Sequence, residues 1–378
     1  QGHLGRPHEV ELTGLPGRLV REHRPQIQAQ VAGDERSHAP NVCRDAACAT
    51  GQTGAMTPDP ADLGRLRRLA RIADRDGLVR AAAIDHPENY DLLFDRDLSR
   101  VDFAEVVESK LELIAAMAAR ASALLLDPRA SIGQAIITGA APGNVGIISG
   151  LENLYYEPST GGFEPRLETK PGWTPAKLSL LGVDAAKLVV FHRGTDTESE
   201  QAKVDLVRQV AADCHARQLP LIVEPLWHAA PGESLDDPQV RARRTASVIA
   251  TAATFKEAGA DIMKVEFPVD LRTDAASADE ACAQLAQAVN GPWVLLSAGV
   301  TFEGFCEQLV VGARHGACGF MAGRAIWGDA VGHHDAAVRA AGARQAQERL
   351  DRLTEILHTS PNRLWDGLPT TSAAATVG

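Results

Sequence analysis

Two lysines stand inside strand-like apolar runs of this 378-residue chain: Lys187 in AAKLVVFH (185–192) and Lys264 in ADIMKVEF (260–267). Lysine is scarce here. Of the 38 basic residues only seven are Lys, at 110, 170, 177, 187, 203, 256 and 264, so a lysine in apolar surroundings calls for a reason. A primary amine attacks a ketone only when uncharged, and its reference pKa is about 10.4. An apolar enclosure and a neighbouring cation both disfavour the charged form and lower that value. The iminium that results is an electron sink, toward which a carbon–carbon bond can break to leave an enamine. Glu224, in LPLIVEP (219–225), can shuttle the protons for carbinolamine dehydration and bond cleavage. Such chemistry needs no metal and no cofactor. No ligand set stands out either, since His192, His215, His228 and His315 lie in separate units without a pairing motif.

The remaining candidates surround this group. Asp85 ends the run VRAAAID (79–85). SAGVTFEGF places Ser297 and Gly299 at the end of one strand-like run, and GFMAGRAIW places Gly323 and Arg324 at the end of the next. Glycine-rich strand ends with a helix start and one arginine are the usual materials of a phosphate site. Plainer readings stand beside each: Asp85 as a strand-end cap, Glu224 as half of a packing ion pair, Arg324 as an ordinary surface residue. Arg241, Arg243 and Arg244 read as a solvated helix face.

The elements that must position these residues recur in order. Eight short runs rich in Val, Ile, Leu and Ala occupy 79–85, 121–127, 145–149, 185–192, 219–225, 260–267, 292–299 and 317–323. Near-continuous apolar runs fit strands buried on both faces of a parallel sheet. Helical stretches, such as 198–217, 240–258 and 275–289, lie between most of them. The arithmetic is that of a (β/α)8 TIM barrel, an α/β fold. A doubly wound sheet is disfavoured because no G-x-G-x-x-G follows the first run. With a two-residue side-chain period, Ile262, Lys264 and Glu266 share the inward face, as do Lys187, Val189 and Phe191, and as do Ile222 and Glu224; Asp85 stands above Ala81 and Ala83. The third unit carries a long Gly/Pro-rich insertion over 150–182, which in a barrel hangs over the mouth.

Composition closes off other classes. A net charge of −11 argues against a nucleic-acid binder. No apolar run of 18 residues argues for a membrane span, and no charged n-region precedes an apolar stretch at the start. Six scattered cysteines without C-x-x-C spacing read as reduced thiols, which makes the expected location cytoplasmic. Residues 1–55 read as a poorly structured segment or upstream extension, 56–361 as the barrel, opened by a capped amphipathic helix after Met56, and 362–378 as a disordered tail.

Taken together, DAAKLVVFH, PLIVEP, ADIMKVEFP, PWVLLSAGV and GFMAGRAIW resemble the class I aldolases that cleave tagatose 1,6-bisphosphate and their sulfofructose-phosphate relatives. The likeness runs from about residue 78 to 330, in the same order and at similar spacing. It implies a barrel with Lys264 as the Schiff-base lysine, Glu224 as acid/base and Lys187 as a second active-site lysine. It further implies that Ser297, Gly299, Gly323 and Arg324 bind the phosphate of the sugar or of dihydroxyacetone phosphate. One departure concerns Asp85: His86 and Pro87 follow it, where the family has Gln-Arg in a region that helps read the sugar. The expected activity is cleavage of a phosphorylated ketose to dihydroxyacetone phosphate and an aldehyde, with a small-molecule sugar phosphate as partner and assembly into a homo-oligomer left open. A Schiff-base lyase acting on a non-phosphorylated substrate and a non-catalytic sugar-phosphate sensor are the alternatives.

Overall fold

The computed structural model describes residues 62–367 apart from 87, 160–161, 195–196 and 231, and only the backbone of 88, 154–159, 162–167 and 367. Eight parallel strands close into a barrel. They are β1 (Val79–Ile84), β2 (Ala123–Leu126), β3 (Gly146–Gly150), β6 (Ala185–His192), β7 (Leu221–Trp227), β8 (Ile262–Val265), β9 (Trp293–Leu295) and β10 (Gly319–Ala322); β4 (Glu152–Ser159) and β5 (Gly162–Thr169) form a separate two-stranded ribbon. Round the ring the order is β1-β10-β9-β8-β7-β6-β3-β2, so neighbours in the chain are neighbours in the sheet. Helices return the chain between strands, among them Phe103–Ala118, Glu198–His215, Pro238–Glu257 and Phe302–Arg314.

The two-residue period sorts the strand residues as a closed parallel sheet requires. Leu188, Val190, Met263 and Val265 pack outward among the helices. Ala81, Ala83, Leu125, Ala185, Ile222 and Ile262 turn inward and form a second cluster within the ring. Small alanines on β1, β2 and β6 let larger residues from the facing strands fill the narrow interior.

The floor of the barrel is sealed from two sides. Helix Leu63–Ile72 sends fully buried Leu69 and Ile72 into the inner cluster. At its start the Asp62 carboxylate makes no cap hydrogen bond and pairs with Arg65 at 2.8 Å. From the other end of the chain, Leu364 joins the same cluster and donates its N–H to Gly77 O at 2.8 Å. The tail expected from 362 therefore begins with a packed turn, Leu364–Gly367, because a fully buried leucine anchors it. Residues 1–61 and 368–378, where the N-terminal segment and the rest of the tail were expected, lie outside the described residues.

The insertion in the third unit is an antiparallel hairpin, in register from Glu152 against Thr169 to Ser159 against Gly162. Pro158 and Pro165 lie within its strands. Proline is confined to edges, and a ribbon of two strands is all edge, which is why this strand pair is hard to read from sequence. Backbone bonds tie its base to the barrel: Leu151 N–H donates to Lys187 O, and Lys170 N–H to Leu151 O, both at 2.8 Å. Among the described residues, no helix is long and apolar enough to cross a membrane.

Candidate active site

Inside the ring, toward its mouth, four charged side chains converge as the inward phase dictates. Lys264, on β8, lies with its Nζ 2.9 Å from Glu224 Oε2 on β7. Lys187, on β6, reaches the same oxygen at 3.2 Å and Asp85 Oδ2 at 2.8 Å. Side-chain exposure is 6% for Lys264, 3% for Lys187 and 10% for Glu224. At that burial an unpaired charge would cost several kcal/mol, so each ion must be held by a partner.

A further carboxylate comes from the hairpin. Glu152 Oε1 lies 2.6 Å from Lys187 Nζ, and its Oε2 accepts from the Val189 N–H at 3.4 Å. Two ammonium groups thus face three carboxylates. Pairing two lysines with one glutamate, as the sequence suggests, leaves the second lysine as a bare neighbouring cation; the structure surrounds it instead. Burial would lower the Lys187 pKa, but Asp85, Glu152 and Glu224 together raise it well above the usual lysine value. Burial would raise Asp85, yet the Lys187 ammonium holds it well below the ordinary carboxylate range. Glu224 follows the same pattern: burial pushes it up, and Lys264 and Lys187 bring it below its ordinary value.

Glu266 does not join this group, although it shares the inward phase. Its Oε2 accepts from Trp227 N–H at 2.7 Å, and its Oε1 lies 3.3 Å from Arg244. Arg244 also donates to Phe267 O and Pro268 O, so it is a tie across the ends of β7 and β8 and not part of a solvated face.

The turn after β1 is held from beneath. Lys110, fully buried on helix Phe103–Ala118, donates to His86 O at 3.0 Å and pairs with Asp127 at 2.6 Å. Asp127 in turn accepts from the N–H groups of Arg129 and Ala130. The His86 ring packs edge-on to Trp327, with centroids 5.5 Å apart, and its Nδ1 lies 3.7 Å from Asp85 Oδ1. Burial pushes its pKa down to about 4 against the pull of Asp85, so it is a neutral imidazole at neutral pH.

The loops after β9 and β10 meet beside it. Ser297 is buried, and Ala298 and Gly299 follow in the left-handed region at φ +46° and +79°. A Cβ on Gly299 would sit 3.3 Å from Arg324 Nη2, and one on Gly323 would sit 2.8 Å from Ala83 O and from His86 Cε1. These two glycines therefore keep the loops close to the guanidinium and to the β1 end. Arg324 itself is exposed, and its guanidinium makes no hydrogen bond or ion pair to the described residues. A cation held over two glycine turns without a partner among the described residues can take an anionic ligand.

All eight sequence-derived residues thus lie at one end of the barrel: Lys264, Glu224, Lys187 and Asp85 in the ion-pair cluster, and Ser297, Gly299, Gly323 and Arg324 on the adjoining loops. Sequence reasoning missed Glu152 and the Lys110–Asp127 pair. Glu152 stands two residues past the end of β3, a position from which a carboxylate can reach the mouth, and that spacing was the available clue. Lys110 sits in a helix, where nothing in the local pattern sets it apart from a surface lysine.

Residues 81–329 match the model of a family described as DeoC/LacD family aldolase. The tagatose 1,6-diphosphate aldolase of Listeria monocytogenes serotype 4a (strain HCC23) is 24% identical, over 80% of this chain and 94% of its own length. The protein of the same name from Streptococcus pneumoniae (strain ATCC BAA-255 / R6) is 25% identical, over 78% and 95%. Among solved structures, the fructose-bisphosphate aldolase from Plasmodium falciparum superposes with a TM-score of 0.62 at 14% identity, covering 80% of this chain and 96% of that one. This last likeness is one of fold.

Proposed function

The chain belongs to the DeoC/LacD aldolase family, and on that premise we propose that it is a class I aldolase cleaving a phosphorylated ketose through an iminium on Lys264, with dihydroxyacetone phosphate and an aldehyde as products. The observation that carries this reading is Glu224 Oε2, set 2.9 Å from one buried ammonium and 3.2 Å from another. One carboxylate oxygen can then take the Lys264 proton as the amine attacks and return it later.

In this reading the substrate phosphate rests on Gly299, Gly323 and Arg324, which brings its C2 carbonyl over Lys264. The amine lone pair forms the C–N bond, the carbonyl oxygen takes up a proton, and the carbinolamine loses water to give the iminium. Glu224 accepts the proton of the C4 hydroxyl. The C3–C4 electrons move into the iminium, the aldehyde departs and an enamine remains. Protonation at C3 and hydrolysis release dihydroxyacetone phosphate and free Lys264. Lys187, held charged by three carboxylates, serves as a fixed hydrogen-bond donor to the reacting oxygens. Asp85 accepts from a substrate hydroxyl.

The test is reduction with borohydride during incubation with dihydroxyacetone phosphate, and a parallel panel of ketose phosphates assayed for triose phosphate with a chelator present. Hydride should convert the iminium to a secondary amine on the peptide that carries Lys264, and cleavage should persist with the chelator. An adduct on a different lysine, or turnover without any adduct, would sink the assignment. Arg324→Ala should raise KM for the phosphorylated ketose by about tenfold or more, with kcat changed less, because a charge-assisted bond to the phosphate is lost. A lyase acting on a non-phosphorylated substrate would show little change in this variant.

A further inference from the structure

The mouth of the barrel contains another lysine, which the mechanism above leaves unused. Lys170 stands where the hairpin rejoins the barrel. Its N–H donates to Leu151 O at 2.8 Å, its carbonyl accepts from Trp173 N–H at 3.0 Å, and its ammonium rests against Gly150 O at 3.5 Å. The side chain is half-buried and forms no ion pair among the described residues. Burial lowers its pKa; Glu152 opposes that, Lys187 adds to it, and Asp85 and Asp127 lie within electrostatic range. A half-buried ammonium that pairs with no carboxylate among the described residues is a place where an anion gains by binding.

Its place in the ring suggests which anion. From β10 the barrel runs β9, β8, β7, β6, β3. Gly323 and Arg324 follow β10, Ser297 and Gly299 follow β9, Lys264 is on β8, Glu224 on β7 and Lys187 on β6. Lys170 lies over the end of β3, at the far end of this arc. A six-carbon ketose with its C1 phosphate on the β9 and β10 loops and its C2 at Lys264 has its C3–C4 bond beside Glu224 and Lys187. Its last carbons then reach the seam between β6 and β3.

We propose that Lys170 is a specificity-determining residue of this site, its ammonium receiving a strongly anionic far end, phosphate or sulfonate, of the ketose. The inference rests on the aldolase reading. A rival role is purely internal: with three carboxylates against two ammonium groups in the cluster, Lys170 would offset the surplus charge and affect every substrate alike.

The experiment compares kcat/KM for a ketose 1,6-bisphosphate, a 6-sulfo ketose 1-phosphate and a ketose 1-phosphate with a neutral far end. In Lys170→Met and in Lys170→Gln, the preference for at least one doubly anionic ketose over the neutral-ended one should fall about tenfold or more. Lys170→Arg should restore most of it, and whichever doubly anionic ketose loses more identifies the natural end group. An unchanged ratio, whether both rates fall together or neither does, overturns the inference and leaves the aldolase reading standing. If the wild type cleaves none of the three, both fail.

Discussion

Lys264→Met should reduce aldol cleavage by roughly 10⁴-fold or more and abolish borohydride trapping, since the amine that supplies the covalent electron sink is gone. Methionine keeps the length of the side chain and its fit beneath the mouth while removing the amine. Glu224 retains Lys187 as a counter-ion at 3.2 Å, so the carboxylate is not stranded. Arg324 and its loops are untouched, and dihydroxyacetone phosphate should still raise the Tm of the variant. The measurements are the intact mass after reduction and the thermal melt with and without ligand. A folded variant that still gained the adduct would place the nucleophile elsewhere.

Glu224→Gln is expected to lower kcat by about 10²- to 10⁴-fold, the usual range for loss of a general acid–base group. The amide retains the volume but cannot take up the proton of the C4 hydroxyl. The pH profile separates this from a packing effect. In the wild type, burial would raise the Glu224 pKa, but Lys264 and Lys187 hold it below the ordinary glutamate value. The carboxylate is therefore present at neutral and mildly acidic pH, and the rate falls only as pH drops through that lowered value. Glu224→Gln should lack this acidic limb. A variant that kept the limb, with kcat reduced less than about tenfold, would assign proton transfer to another group.

Much of the fold was legible because a barrel strand is buried on both faces and shows itself as a short apolar run. The eight runs correspond to the eight strands, and the two-residue period puts Lys187, Glu224 and Lys264 on the inward face. The hairpin was not legible, since Pro158 and Pro165 argue against strands unless both edges are open. The buried turn at Leu364 was equally hidden. Its sequence looks like a frayed end, and only the floor of the barrel gives that leucine somewhere to go.

What the sequence by itself determined is the strand order and the face that Lys187, Glu224 and Lys264 take, because pleating and helix–strand alternation are local rules that act along the chain. What only the tertiary structure decided is the company those residues keep. Lys187 meets Asp85, Glu152 and Glu224 at 2.6 to 3.2 Å, Glu266 turns to Trp227 and Arg244, and Lys170 is left across the ring from Arg324. The physical reason is that charge pairing depends on distance in a dry interior, where an ångström decides which partner a buried ion takes, and such distances are set by how the ring closes.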